Sequence, residues 1–233
     1  MTTTDKVAVA RHCLNGLESA GFSVWETAQF EKAVDTLRGL GKSYLTPNMS
    51  PFMNDFTADN CFWLMLNHND TPIGGIAARR DNLGTESLTS FWRRAMRRQY
   101  GQGTKDQVGR VSKTIESEVS GRVTYFGDLI VEKSFRGKGD HLRFFTMYAQ
   151  MVAALMWDSD WVYAFISEQR AESGGAYTYG FTRVIPGAQE WFDAPKTRSS
   201  SECCVLSSRT ELNDIAAYFA RSPDKLRVVK DTD

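Results

Sequence analysis

Val131-Glu-Lys-Ser-Phe-Arg-Gly-Lys-Gly-Asp-His141 joins two segments of opposite periodicity. Upstream, the apolar run from Val123 to Val131 predicts a strand; downstream, Asp140 to Trp157 carries its apolar residues at helical spacing and predicts a long helix. Trp161 to Ile166 then reads as a second apolar strand. Strand, long helix and strand in succession make a βαβ crossover, which implies a parallel pair joined right-handedly. The turn at the head of the helix has its own chemistry. Gly137 and Gly139 let the backbone come close to a ligand, and the first amides of the helix near Asp140 point outward with the positive end of its dipole. Arg136 and Lys138 add fixed positive charge. That combination suits a pyrophosphate.

Outward from this unit, the pattern becomes antiparallel. Cys61 to Leu66 is strand-like, Asn67 to Pro72 supplies turn residues, and Ile73 to Ala78 returns as the partner strand. Ser23 to Glu26 reads as a short strand, and Phe30, Val34, Leu37 and Leu40 as a helix stopped by Gly39 and Gly41. Thr46 to Asn60 reads as loop. Ser87 to Tyr100 predicts a helix in which Leu88, Phe91, Trp92 and Met96 interleave with Arg93, Arg94, Arg97 and Arg98, and Gly101 to Gly121 is polar and irregular. After the crossover come a short helix ending near Gly180-Phe181, strands near Val184 and across Cys203 to Ser207, and a closing helix from Glu211 to Ala220 capped by Thr210. Antiparallel strands flanking one crossover give a mixed sheet of the α/β class, and residues 1–233 are expected to form a single domain.

Composition narrows the classes of function. Of 233 residues, 42% are hydrophobic and 24% charged, which excludes wholesale disorder and fibrous folds. Lys plus Arg equals Asp plus Glu at 28 each, so the net charge points to neither nucleic acid nor an anionic membrane. The cluster from Arg93 to Arg98 invites a nucleic-acid reading, but the balanced charge favours a solvated helix face. Met151 to Trp157 is the longest uninterrupted apolar run and is too short to cross a bilayer; Met1 to Asp5 lacks the features of a signal peptide. A cytoplasmic location is expected. Cys13, Cys61 and the vicinal Cys203-Cys204, with the scattered His12, His68 and His141, show no metal-ligand spacing and are expected to be reduced thiols without a metal.

The order of hairpin, strand, Arg-Gly-Lys-Gly turn, long helix, strand and Tyr177-Thr-Tyr179-Gly180-Phe181 resembles the GNAT superfamily of N-acyltransferases. Leu129-Ile-Val131 followed by Arg136-Gly-Lys-Gly139 matches the family's strand and pyrophosphate turn, and Gly180-Phe181 matches a second landmark. The resemblance covers about 123 to 185 and, more loosely, the hairpin at 61 to 80. It departs at the turn's last small residue, which is His141 here and is expected to crowd the first helical turn. It departs again where the family's usual Asn and Tyr fall on Gln169 and Ala176.

The resemblance implies a GNAT-like fold: a central, mostly antiparallel mixed sheet with one splayed parallel crossover, flanked by helices. Residues 82–120 would be a helical insertion, serving as a lid or an acceptor-binding element. It further implies transfer of an acetyl or other short acyl group from acyl-coenzyme A, without a metal, to a small-molecule or peptide amine by direct attack. Leu129, Ile130 and Val131 would bond the pantetheine arm like an extra strand, Arg136, Gly137, Lys138, Gly139 and Asp140 would hold the pyrophosphate, and Gln169 would assist. Tyr177 is the expected acid for the departing thiolate, with Tyr179 as the alternative, and Tyr125 would order a water beside the attacking amine; Glu116 and Glu118 are candidate bases if the insertion covers the cleft. A GNAT-shaped protein that only binds acyl-coenzyme A, as sensor or scaffold, is the alternative.

Overall fold

Six consecutive apolar residues, Cys61 to Leu66, can all be buried only if both faces of their strand are covered. The computed structural model, which describes residues 3–42, 45–137 and 140–227, covers both. Phe62, Leu64 and Leu66 enter one hydrophobic core, and Cys61, Trp63 and Met65 enter another on the opposite face.

The chain builds this three-layer arrangement from eight helices and nine strands among the described residues. Helix α1 (Thr3–Glu18), strand β1 (Phe22–Thr27) and helix α2 (Phe30–Gly39) precede the hairpin of β2 (Cys61–His68) and β3 (Thr71–Asn82). Asn69 and Asp70 both take positive φ, 47° and 63°, as a two-residue hairpin turn of matching twist demands. Helix α3 (Leu88–Tyr100), strand β4 (Val108–Val111) and helix α4 (Lys113–Glu118) follow, and then the crossover: β5 (Arg122–Val131), α5 (His141–Trp157) and β6 (Trp161–Ile166). The chain continues through α6 (Glu168–Glu172), α7 (Gly175–Thr178), β7 (Arg183–Ile185), β8 (Gln189–Trp191), β9 (Cys203–Ser208) and α8 (Arg209–Arg221). Seven strands form one sheet in the order β1-β2-β3-β5-β6-β9-β7, in which β5 and β6 are the parallel pair among the described residues. Strands β4 and β8 form a separate two-stranded ladder.

Helices α1, α5 and α8 cover one face. Val9, Cys13 and Leu17 of α1 pack with Phe144 and Phe145 of α5 and with Leu212 and Phe219 of α8. Gly16 permits the close approach of α1 to α5, because a Cβ there would lie 2.6 Å from the Phe144 ring. Helices α2, α3 and α4, with the β4–β8 ladder, cover the other face through Leu37, Leu88, Trp92, Ile115 and Trp191.

Two points of the sequence reading need correction. The amino-terminal helix escaped the sequence reading, because its buried stripe includes small residues, Ala10 and Cys13, that give little hydrophobic signal. Helix α8 is capped by Ser208, not Thr210. The Ser208 hydroxyl accepts from the Glu211 N–H while the Glu211 carboxylate accepts from the Ser208 N–H, a reciprocal pair that starts the helix earlier than expected. The arginines of α3 lie on an exposed face, where Arg94 pairs with Glu86, Arg97 with Asp106 and Arg98 with Asp55, and Arg93 donates to the Gly109 carbonyl.

All four cysteines are free and buried. Burial pushes the thiols of Cys13 and Cys61 up to about 12, and that of Cys204 up as well. The folded chain therefore keeps protons that an unfolded chain releases near pH 8.5, so stability is full below that pH and is lost as pH rises toward the folded-state values. Urea-unfolding free energies are expected to fall between about pH 9 and 11, by up to about 1.4 kcal/mol per pH unit for each such thiol. Cys61→Ala should flatten that slope, whatever it costs in packing. An unchanged slope in the variant would show that this thiol ionises alike in the folded and unfolded states, and that burial does not hold its proton.

Candidate active site in the sheet wedge

The β5–β6 ladder runs for only four pairs, from Val123↔Trp161 to Phe126↔Ala164. Both strands then continue but part, β5 following β3 as far as Val131 and β6 following β9 as far as Ile166. A bulge marks the parting. Gly75 pairs with Ile130 and Ala77 with Gly127, so β5 carries an extra residue opposite β3, and Asp128 within it has φ 54°. Its buried carboxylate accepts from the Thr46 N–H at 3.1 Å and hydroxyl at 2.9 Å, and pairs with Lys42 Nζ at 3.1 Å. Burial pushes this carboxyl's pKa up, while Lys42 and Thr46 pull it back.

The bulge also overturns the expected facing of β5. Simple alternation puts Tyr125, Gly127, Leu129 and Val131 on one face and Asp128 on the other. Tyr125 does belong to the α3-side core, but beyond the extra residue Leu129 packs with the α5-side core and Ile130 with the α3-side core.

A cavity of about 280 Å³ fills the wedge, close to the lower end of the range for small-molecule sites. It reaches through the sheet, since its walls come from both cores. Phe126, Leu129, Ile166, Tyr179 and Phe181 supply an apolar half on the α5 side. Tyr125, Gly127 and Phe165 line the α3 side, with two ion pairs, Lys42–Asp128 and Arg198–Glu202, the latter at 2.8 Å.

The expected site residues are only partly gathered here. Leu129 lines the cavity; Ile130 and Val131 do not, although the Val131 carbonyl accepts from Arg136 Nε at 2.6 Å. Gly137 takes φ 69°, and Asp140 stands at the N-cap of α5; Lys138 and Gly139 lie outside the described residues. His141 does not crowd the helix start toward the cavity: its ring is buried, stacked on Phe22 with centroids 4.9 Å apart, and burial lowers its pKa. Gln169 is exposed on α6 and does not line this cavity. Glu116 and Glu118 are exposed, with Glu118 bound to Arg183 at 2.7 Å, and no residue of 82–120 lines the cavity. Tyr125 is buried on the cavity wall beside Tyr163, and desolvation pushes its pKa up.

The two candidate tyrosines part company. Tyr177 is 66% exposed, with its ring under the Arg143 guanidinium at 4.1 Å, and is not on the cavity wall. Tyr179 is on that wall. Three α5 side chains on one helical face hold the backbone around it: Arg143 donates to the Tyr177 carbonyl at 3.1 Å, Thr146 to that of Thr178 at 3.4 Å, and Gln150 to that of Tyr179 at 2.6 Å. Gly180 follows with φ 87°, and a Cβ there would meet Gln150 and Met147 at 2.9 Å, so the Gly-Phe pair is a steric requirement of this docking. Burial pushes the Tyr179 hydroxyl's pKa up and Arg170 and Arg136 draw it down. Arg136, from the turn, is thus electrostatically coupled to Tyr179.

Lys42, Thr46, Asp128, Arg198 and Glu202 were not anticipated. Arg198 and Glu202 pair across four residues of the β8–β9 loop, where helical spacing gives no signal. Among the described residues, no group of three His, Cys, Asp or Glu is arranged to hold a metal, and no helix is long and apolar enough to cross a membrane.

No family model and no curated protein matches the sequence. Solved structures do. FeeM, an N-acyl amino acid synthase from uncultured soil microbes, superposes with a TM-score of 0.51 over 84% of this chain and 97% of its own, at 11% identity. The fold is the GNAT fold. Mutant forms of the spermidine/spermine N-acetyltransferase SpeG from Vibrio cholerae match 83% of this chain and 98% of theirs, at 11% identity and a TM-score of 0.47. In this GNAT fold, the parting of β5 from β6 and the docking of Tyr179 against α5 are the features that shape the cavity.

Proposed function

We propose that this chain is an N-acyltransferase, moving an acetyl or other short acyl group from acyl-coenzyme A to an amine acceptor by direct attack. One observation carries the reading: a wedge cavity through the sheet whose wall holds the protonated Tyr179 and, on the α3 side, two ion pairs. The fold shared with an N-acyl amino acid synthase supports transfer to nitrogen.

The donor fits the α5 side. Beyond Phe126 the β6-facing edge of β5 has no ladder partner, so the backbone of Leu129 and its neighbours is open to the amides of a pantetheine arm. Arg136, Gly137 and Asp140, with Lys138 and Gly139, would take the pyrophosphate at the start of α5. The acceptor then enters from the α3 side. A lysine-like ammonium titrates near pH 10.4, so a proton must be removed before the nitrogen attacks. Of the two carboxylates on the wall, Asp128 uses both oxygens on Thr46 and Lys42, whereas Glu202 meets Arg198 and the Ser199 N–H through Oε2 alone, so its Oε1 would receive that proton, directly or through water. Tyr125 would order that water. As the new C–N bond forms and the C–S bond breaks, Tyr179 gives its proton to the leaving thiolate.

Calorimetric titration with acetyl-coenzyme A and free coenzyme A tests the donor half. Micromolar binding is expected, weakened about tenfold by Arg136→Ala, the worth of one charge-assisted hydrogen bond. Binding without transfer to any amine would favour the sensor reading, which the exposed positions of Gln169 and Tyr177 also suit. Absence of binding would overturn both.

A further inference from the structure

Arg198 is a buried cation with unused hydrogen-bonding capacity on the wall of the cavity. It is 8% exposed and carried by the loop between β8 and β9. Its guanidinium lies 4.4 Å from the Phe165 ring centroid and 5.5 Å from that of Trp191. Its Nε is bound to Glu202 at 2.8 Å and the Tyr100 hydroxyl lies close enough to interact with the guanidinium, yet Nη2 has no hydrogen-bond partner of good geometry. A buried guanidinium N–H without an acceptor is costly, and arginine keeps its charge at any working pH. The arrangement is that of a fork held against aromatic rings and turned by one carboxylate, awaiting a second acceptor.

We infer that Arg198 binds the carboxylate of the acceptor, so that the substrate class is an amine bearing a carboxylate close to its nitrogen. The inference rests on the acyltransferase reading and adds the chemistry of the acceptor. An arginine edge fits a carboxylate or a phosphate. The rest of the wall chooses between them. On this half of the cavity Lys42 and Arg198 are already balanced by Asp128 and Glu202, so a dianionic phosphate would add two uncompensated negative charges. A zwitterion places its carboxylate on Arg198 and its amino group toward Glu202, and leaves the local charge balanced. Tyr125 and Phe165 give the remainder of the acceptor an aromatic surface.

The test uses matched pairs that differ only in the carboxylate: phenylalanine with 2-phenylethylamine, and leucine with 3-methylbutylamine. Release of coenzyme A from acetyl-coenzyme A and the mass of the product are followed for each. The expected result is a kcat/KM at least about tenfold higher for the carboxylated member, the worth of one ionic hydrogen bond. Arg198→Met should reduce that ratio to near one while leaving coenzyme A affinity unchanged, and Arg198→Lys should restore part of it. Equal rates within the pairs, or a preference that survives Arg198→Met in protein with an unaltered circular dichroism spectrum, would overturn the assignment and leave the transferase reading standing. Coenzyme A binding without thiol release for any acceptor would be the failure of that reading, and this inference falls with it.

Discussion

Tyr179→Phe is expected to lower turnover by about 10²- to 10³-fold while leaving coenzyme A affinity within about twofold, as befits a group that acts only as the C–S bond breaks. Tyr177→Phe should leave both near the parent values. The two residues differ by two positions in sequence but by an entire environment in space: one lies on the cavity wall, the other is exposed under Arg143. Because burial outweighs the pull of Arg170 and Arg136, the Tyr179 hydroxyl holds its proton above the ordinary tyrosine value, near pH 10. The alkaline limb of kcat should therefore lie above about pH 10 and should disappear in Tyr179→Phe. Steady-state kinetics with a fixed acyl donor measure all of this. A parent-like kcat in Tyr179→Phe, or a large loss in Tyr177→Phe, would remove Tyr179 from the chemistry.

The separation of these tyrosines shows what sequence could and could not reveal. The crossover was legible because its two strands and its helix are written in long apolar runs with distinct periods, and Gly137 and Gly180 mark places where the backbone takes positive φ. The tyrosine was not fixed, because Gly174, at φ 76°, starts a fresh turn of helix, and the docking of α7 on Arg143, Thr146 and Gln150 decides which ring faces the wedge. The charged half of the cavity was invisible for a different reason. Asp128 is held by Thr46, 82 residues earlier, and the bulge it occupies breaks the period-two rule that assigned its direction. Gly127 is the one local hint of a bulge in Phe126-Gly-Asp-Leu129, and it does not say which residue is the extra one.

Trp92→Ala is expected to cost about 3–5 kcal/mol of stability, more than any surface change in the same helix. Read as a lid, residues 82–120 would be removable without loss of the coenzyme site. Their placement argues otherwise. Trp92 is 1% exposed, its indole N–H donates to the Tyr163 hydroxyl at 3.2 Å, and its ring lies 5.1 Å from that of Phe165. Tyr163 and Phe165 belong to β6, one of the two strands that part to form the wedge, so the insertion braces the site from behind. Truncating Trp92 opens a void in the α3-side core and strands the Tyr163 hydroxyl without its donor, two penalties that fall on the same strand. Arg94→Ala, on the exposed side of α3, should stay within about 0.5 kcal/mol. Urea denaturation of both variants decides the matter, and deletion of 82–120 should give unfolded protein instead of a coenzyme-binding shell. If Trp92→Ala unfolded with the parent's midpoint and lost only acceptor discrimination, α3 would be a lid after all, and the bracing of β6 would have to come from the β4–β8 ladder through Trp191 and the Arg198 stack on Phe165.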